Sequence, residues 1–468
     1  MAPDLRTRYR NASVADLFHL AGAWLAKVPP SDEVPSRSFN DGGTIDMTRR
    51  KLVSALTGAG IALLWVTPGM AQTTSINCGD TGTLPNPVFM AGSSAFEPIL
   101  ASLSVQIKKS QNISIIYAPI SSCSGVAAVS PPADTPALQP LTGTAHYYTA
   151  DLTDPTLTVT NTCNLSGVTM ALIGVSDASF ESCQNAAKPA GIGEWFGPEQ
   201  AMLIVVPKAN LTTTAISAEQ AAAIWGCGAK GNVAPFTNIN EIFYRSATSG
   251  TQILVARNIG VPESAFLFGT PCGNSSNMLT NIVNAPDPQS AIGFIAADFY
   301  STRRSVLNAV AFRGINQKKA YYADADSLAT DLLNVREGRY MIQGPLHFFS
   351  ALSSTSSSVD GGAATPAPSA IASRVLDWLT GAVPIDPTDT KNMNYVSTVA
   401  TLGDVPQCAM RVKIAKDGGN FSPYTPPVSC HCAFEKAKSL RTPAGTCPVC
   451  KTDADCTGGL RCQTGYCE

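Results

Sequence analysis

The sequence predicts an α/β protein. A short apolar strand, Val88-Phe89-Met90-Ala91, runs into the small-residue loop Gly92-Ser93-Ser94-Ala95-Phe96. Beyond that loop Ile99, Leu100, Leu103 and Ile107 recur at helical spacing, from Glu97 to Ile107. The β-branched run 113–117 then ends at a second small-residue loop, Ser121-Ser122-Cys123-Ser124-Gly125. Alternation of strand, small-residue loop and helix marks an α/β domain. Ligands of such domains collect beyond the carboxyl ends of the strands, where these loops lie.

The same pattern continues along the chain. Residues 168–175 read as a buried strand ending at Ser176-Asp177, and 201–206 as another. Residues 217–225 read as an amphipathic helix with Ser217 as N-cap and Glu219-Gln220 in its first turn. Residues 292–295 form a further strand, and 375–379 a short helix ahead of Pro384. Two stretches break the pattern. Residues 129–162 are Pro- and Thr-rich and read as a surface insertion, and 350–372 as a Ser/Gly/Ala/Pro-rich loop.

A chain of 468 residues with sparse charge, 37 glycines and 33 prolines is long enough for two or three compact, loop-rich domains. Its net charge of −2 gives no reason to expect a nucleic-acid partner, so any anion site must be local. Thr48-Arg49-Arg50-Lys51 precedes an apolar run from Leu52 to Val66 and then Pro68-Gly69-Met70-Ala71. Charged, apolar and small-residue regions in that order describe a signal peptide over 47–71, of either the twin-arginine or the general secretion kind. Met47 then competes with Met1 as the start, leaving 1–46 as an upstream extension. All fourteen cysteines follow the expected cleavage point, which suits disulfides in an oxidising compartment. Six are dispersed (Cys78, Cys123, Cys163, Cys183, Cys227, Cys272) and eight crowd the region from Cys408 to Cys467. The two groups are expected to bond internally, with connectivity open. Cys430-His431-Cys432 and Cys447-Pro448-Val449-Cys450 would also suit zinc, but export favours a small module stapled by bridges.

Arg245-Ser246-Ala247-Thr248-Ser249-Gly250-Thr251 carries the most chemistry. A helix that starts here offers unpaired N–H groups and partial positive charge to an oxyanion. Glycine permits close approach, hydroxyls add donors, and a guanidinium supplies a charged fork. The alternative is an ordinary helix cap satisfying its own backbone.

With their order and spacing, several segments together resemble the phosphate-binding component of bacterial ABC transporters, a family of two-lobed periplasmic binding proteins. Gly92 to Pro98 resembles the family's first anion loop, and Tyr117 to Val126 its second, with Cys123 where glycine or serine is usual. Ile173-Gly174-Val175-Ser176-Asp177-Ala178 resembles the strand end that supplies a ligand-facing aspartate. Arg245 to Thr251 matches the Arg-x-x-x-Ser-Gly-Thr element, and 291–295 and 338–342 fit two later signatures. The resemblance covers about 88–380. It departs from the family in a long insertion after Val126, in Ala247 where a carboxylate often braces the arginine, and in the cysteine-rich end.

The resemblance implies a two-lobed (Venus flytrap) periplasmic-binding-protein fold plus a small disulfide-rich C-terminal module. Lobe 1 is expected over 77–196 and 306–406, lobe 2 over 197–305, and the module over 407–468. It implies an exported, periplasmic or envelope-associated monomer that binds inorganic phosphate, needs no cofactor and serves an ABC permease. The phosphate-binding residues are then Ser94, Ala95 (through its backbone), Phe96, Ser122, Asp177, Arg245, Ser249, Gly250 and Thr251, with Ser93 and Ser124 as alternates to their neighbours. Asp177 is the residue that selects. An ionised carboxylate can only accept, so it favours an anion that still carries a proton and rejects sulfate, which carries none. Its alternative role is to cap the next helix.

No catalytic set is expected. His347 lies in an apolar stretch and reads as structural, and His146, beside Tyr147-Tyr148 in the insertion, is uninformative. A phosphate-ester hydrolase of the same superfamily and an envelope-attached binding protein uncoupled from transport are the two alternatives. In the second, the cysteine-rich module docks to a partner the sequence does not name.

Overall fold

The computed structural model describes residues 76–132, 137–154, 157–352, 368–438 and 447–468. The expected signal peptide and upstream extension lie outside the described residues.

The first lobe is built on parallel pairing. Strand β1 (Val88–Gly92) lies between β2 (Ile115–Ala118) and β5 (Ile173–Ser176), parallel to both. Helix α1 (Glu97–Gln111) leaves β1 through the 3-10 turn Ser94–Phe96 and buries Ile99, Leu100, Leu103 and Ile107. Helix α2 (Ser122–Val129) follows β2, with Ser121 Oγ accepting from Ser124 N. Gly92, at φ 149°, is where the first loop turns against β5: a Cβ there would lie 1.9 Å from the Val175 carbonyl oxygen. Alanine at that position is excluded.

The expected surface insertion is instead a sheet extension. Its chain forms β3 (Leu141–Ala150) and β4 (Thr158–Thr169), an antiparallel hairpin added to β2 through Tyr117 and His146. A disulfide from Cys78 to Cys163 staples the outer strand to the start of the described chain. The strand expected over 168–175 is thereby divided, with β4 ending at Thr169 and β5 beginning at Ile173. After β5, the short helix α3 (Phe180–Gln184) is tied back to α2 by the Cys123–Cys183 disulfide.

Strand β6 (Ile192–Pro207) is long because it serves both lobes. Its first half pairs with β13 (Gln343–Ala351), which also pairs with β5. Its second half pairs with β10 (Gly293–Ala296) and β11 (Leu307–Ala309) in the second lobe. That lobe also contains β7 (Ala215–Ser217), which pairs with β12 (Ala311–Arg313), and the small pair β8 (Phe243–Tyr244) and β9 (Thr270–Pro271). Its helices are α4 (Ala218–Cys227), α5 (Gly250–Ile259), α6 (Ser275–Val283), α7 (Ala297–Ser301) and α8 (Leu333–Arg336). Helix α4 starts with the expected capping box of Ser217 and Gln220. Trp225, Phe266 and Phe294 pack its core at centroid separations of 5.3 to 6.2 Å.

Pairing of β11 and β12 with second-lobe strands corrects the lobe boundary expected at 306. The chain stays in the second lobe through α8 and returns along β13. Helices α9 (Ala370–Leu379) and α10 (Met393–Leu402) complete the first lobe, with Gln106 of α1 bonded to Thr398 at 2.9 Å. The architecture is a two-lobed α/β fold whose lobes are joined by β6 and β13.

A cysteine-rich module follows. It consists of the hairpin β14 (Val412–Ile414) and β15 (Phe421–Pro423), helix α11 (His431–Ala437), and the pair β16 (Cys462–Gln463) and β17 (Tyr466–Cys467). All eight of its cysteines pair within it: Cys408–Cys430, Cys432–Cys447, Cys450–Cys462 and Cys456–Cys467. The sulfurs of Cys450, Cys456 and Cys467 cluster, but each is already in a disulfide, so the cluster is not a zinc set. In the dispersed group the last two cysteines differ from expectation. Cys227 is free and exposed, Cys272 free and buried. Among the described residues no helix is long and apolar enough to cross a membrane.

Candidate functional site

Three loops of the first lobe and two helix starts of the second meet between the lobes. The 3-10 turn before α1 presents Ser94, α2 presents Ser122 from its first residue, and the end of β5 presents Asp177. From the second lobe come Arg245, just after β8, and Ser249, Gly250 and Thr251 at the start of α5. The polar side chains of this group are all 4% exposed or less.

Their contacts run across the gap. Gly250 N donates to Ser122 Oγ at 2.9 Å, and Thr251 Oγ1 donates to Asp177 Oδ2 at 3.1 Å. Ser122 Oγ donates to the same carboxylate oxygen at 3.4 Å, and Arg245 donates from one terminal nitrogen to Ser94 Oγ at 3.3 Å. Cys123 N also crosses, donating to the Thr248 carbonyl at 3.0 Å. A Cβ on Gly250 would sit 2.6 Å from Ser122 Oγ and 2.9 Å from Asp177 Cβ. Glycine is required there for the walls to approach.

Two charges face each other in this dry setting. Burial raises the Asp177 pKa above the ordinary carboxylate value, while the nearby hydroxyls of Ser93, Thr251 and Ser122 and the charge of Arg245 pull it back. Burial lowers Arg245 to about 10, with Asp177 opposing the shift, so the guanidinium stays charged at neutral pH. Asp177 Oδ1 and Arg245 Nε have no hydrogen-bond partner within the protein. A buried carboxylate oxygen and a buried guanidinium N–H in that condition are costly unless something else pairs with them.

No protein-family model matches the chain, and no curated protein matches it. Solved structures do match, at low identity. One is a phosphate ABC transporter substrate-binding protein of Clostridium perfringens with bound phosphate, 14% identical, covering 69% of this chain and 99% of its own at a TM-score of 0.44. Another is an ABC-type phosphate transport receptor of Vibrio cholerae, 15% identical, covering 68% and 99% at 0.40. A full-length OxyR variant of Pseudomonas aeruginosa matches as well, 8% identical, covering 62% and 68% at 0.32.

Residue by residue, the structure brings most of the expected set together. The Ser249 side chain makes no capping bond to its own helix, so the ordinary cap role is not realised there. Asp177 bonds hydroxyls rather than the start of α3, whose cap is Ser179. Ala95 contributes less directly, because its N–H pairs with Ser93 Oγ at 3.1 Å. The Phe96 ring is fully buried, edge-on to Phe348 at 5.5 Å, so any ligand contact falls to its backbone. Ser124 turns away to its own helix cap. Of the histidines, His347 pairs with Glu194 at 2.7 Å, and His146 bonds Glu97.

Sequence reasoning missed Ser275. It is the first residue of α6, 1% exposed, and its Oγ lies 3.0 Å from an Arg245 terminal nitrogen and 3.2 Å from Ser94 Oγ. The signal was present as Gly273-Asn274-Ser275-Ser276 ahead of Met278 and Ile282, a small-residue helix start like the other loops.

Proposed function

We propose that this protein is an exported solute-binding protein that captures inorganic phosphate between its lobes, for delivery to an ABC permease. The carrying observation is the buried pair of Asp177, with one oxygen unpaired, and Arg245, with an unpaired N–H, ringed by hydroxyls and helix starts. Arg245 and the start of α5 favour a tetrahedral anion, and Asp177 admits one that brings its own proton. Burial of the whole cluster suits a free ion rather than an ester carrying an organic group. Closure of one lobe on the other would bury the ion and opening would release it. Four disulfides in the module and two in the first lobe support an oxidising compartment.

Calorimetry on the oxidised protein with phosphate, sulfate and molybdate tests this reading. Phosphate binding with rejection of sulfate at neutral pH is expected. Tight sulfate binding there, or no phosphate binding, overturns it. The pH dependence has a definite sign. As pH falls through the raised Asp177 pKa, the carboxyl gains a proton and becomes a donor. Sulfate affinity should therefore rise on acidification, and Asp177→Asn should bind sulfate already at neutral pH.

A further inference from the structure

We infer that Ser275, through its backbone N–H and its hydroxyl, is an anion-binding residue of the cleft, adding the start of α6 to the donor set. The inference rests on the reading of the cleft as an oxyanion site.

Four contacts carry it. Ser275 N donates to Ser94 Oγ at 3.3 Å, Arg245 donates to the same oxygen at 3.3 Å, and Ser275 Oγ lies 3.2 Å from it. The second terminal nitrogen of Arg245 donates to Ser275 Oγ at 3.0 Å. A serine hydroxyl has two lone pairs, so Ser94 Oγ is filled by Ser275 N and Arg245, and its own hydrogen is the one that serves the contact with Ser275 Oγ. Ser275 Oγ then accepts from Ser94 and from Arg245, which fills it too, so five hydrogens share four lone pairs and the Ser275 hydroxyl hydrogen is left over. An oxyanion oxygen, with more acceptor capacity and negative charge, answers that surplus better. The arginine provides an independent pointer, since its side chain is 4% exposed and its Nε is unpaired.

Helix α6 is built to deliver this donor. It runs for nine residues, and Asn274 caps it by accepting from Asn277 N at 2.8 Å. The cap therefore leaves the Ser275 N–H, at the first helical position, turned to the cleft. Met278 and Ile282 are fully buried on the same helix and fix its seat against Gly293 of β10. Ser275 also answers the replacement of a bracing carboxylate by Ala247. The guanidinium is steadied by a neutral hydroxyl, and its facing groups are Asp177 and the Cys272 thiol, which burial raises and keeps neutral. More of the arginine's charge remains for the ligand.

Two variants separate the groups. Ser275→Ala removes the hydroxyl and keeps the N–H. Ser275→Pro removes both while suiting the first position of a helix, and the extended Asn274 (φ −144°, ψ 178°) tolerates a following proline. Each is titrated by calorimetry with phosphate, arsenate, sulfate and molybdate, alongside thermal midpoints without anion. Ser275→Ala should weaken phosphate about tenfold and Ser275→Pro about a hundredfold, with Ser275→Thr close to the parent. Affinities within twofold of the parent for folded Ser275→Ala overturn the inference even if Ser275→Pro fails to fold. If the parent binds another anion of the panel but not phosphate, the phosphate reading falls and the variants are scored on that anion. If it binds none, both readings fall.

Discussion

The cleft and the cysteine-rich module keep their shapes by different means. In the lobes a continuous apolar core, with Phe96, Tyr117, Trp225, Phe294, Phe312 and Phe348 all buried, holds the loops that face the gap. The module has little core of its own. Cys430, Cys432, Ala433 and Phe434 are buried at its helix, and four disulfides close sequence separations of 11 to 22 residues. Where apolar burial is scarce, covalent links reduce the freedom of the unfolded chain instead. The binding site thus depends on packing and charge placement, and the module on redox state.

Replacing Arg245 by alanine should give the largest effect. It removes a buried charge, leaves Asp177 without its counter-ion, and frees Ser94 and Ser275 of their donor. Phosphate affinity should fall by about a hundredfold or more, as expected for loss of charge-assisted bonds. Calorimetry reads it. An unchanged affinity would move the site elsewhere.

The module answers to a different perturbation. Replacing Cys408 and Cys430 together by serine opens a loop of 22 residues and should cost about 3 kcal/mol of stability by the chain-entropy estimate. The loss should appear as a lower thermal midpoint, and phosphate affinity of the protein still folded should stay within a few fold. An equal loss of affinity would show that the module shapes the cleft. Arg336 is the contact to watch in that case. It is 1% exposed, stacks over Phe434 at 4.8 Å, and donates to the Ala409 carbonyl at 3.2 Å, joining α8 to the module.

The same contrast explains what could be read from the sequence. The cleft loops were legible because their pattern is local: a helix start needs small, hydroxyl-bearing residues next to it in the chain. Ser275 was not, because its importance comes from reaching Arg245, thirty positions away in the chain. The hairpin β3–β4 was hidden by proline and threonine at a sheet edge, where one face meets solvent and the apolar alternation is diluted. The lobe boundary was misplaced since β11 and β12 are three-residue strands whose pattern says nothing about their partners. Disulfide partners depend on distances between Cβ atoms, so the sequence could group the cysteines but not join them. Cys227 and Cys272 show the limit of counting, being an even pair left unbonded.

A further contact between the two regions should give the smallest effect. The loop of the β14–β15 hairpin brings Asp417 to the first lobe, where its Oδ2 accepts from Ser179 N at 2.9 Å and Ser179 Oγ at 3.0 Å. The base of that hairpin is held in the second lobe, since Val412 and Phe421 pack on Gly338 and Gly418 rests against Arg257. Ser179 follows Asp177 by two residues, so the hairpin braces the wall that carries Asp177. Spanning both lobes, it should also resist their separation. Asp417→Ala should cost about 1 kcal/mol of stability, the ordinary loss for a capping carboxylate. Phosphate release, followed by stopped-flow fluorescence, should accelerate a few fold while association changes little. Asp417→Asn, whose amide oxygen can still accept, should recover most of both. If release is unaltered in the alanine variant while stability drops, the hairpin caps α3 without restraining the lobes, and the cleft opens independently of the module.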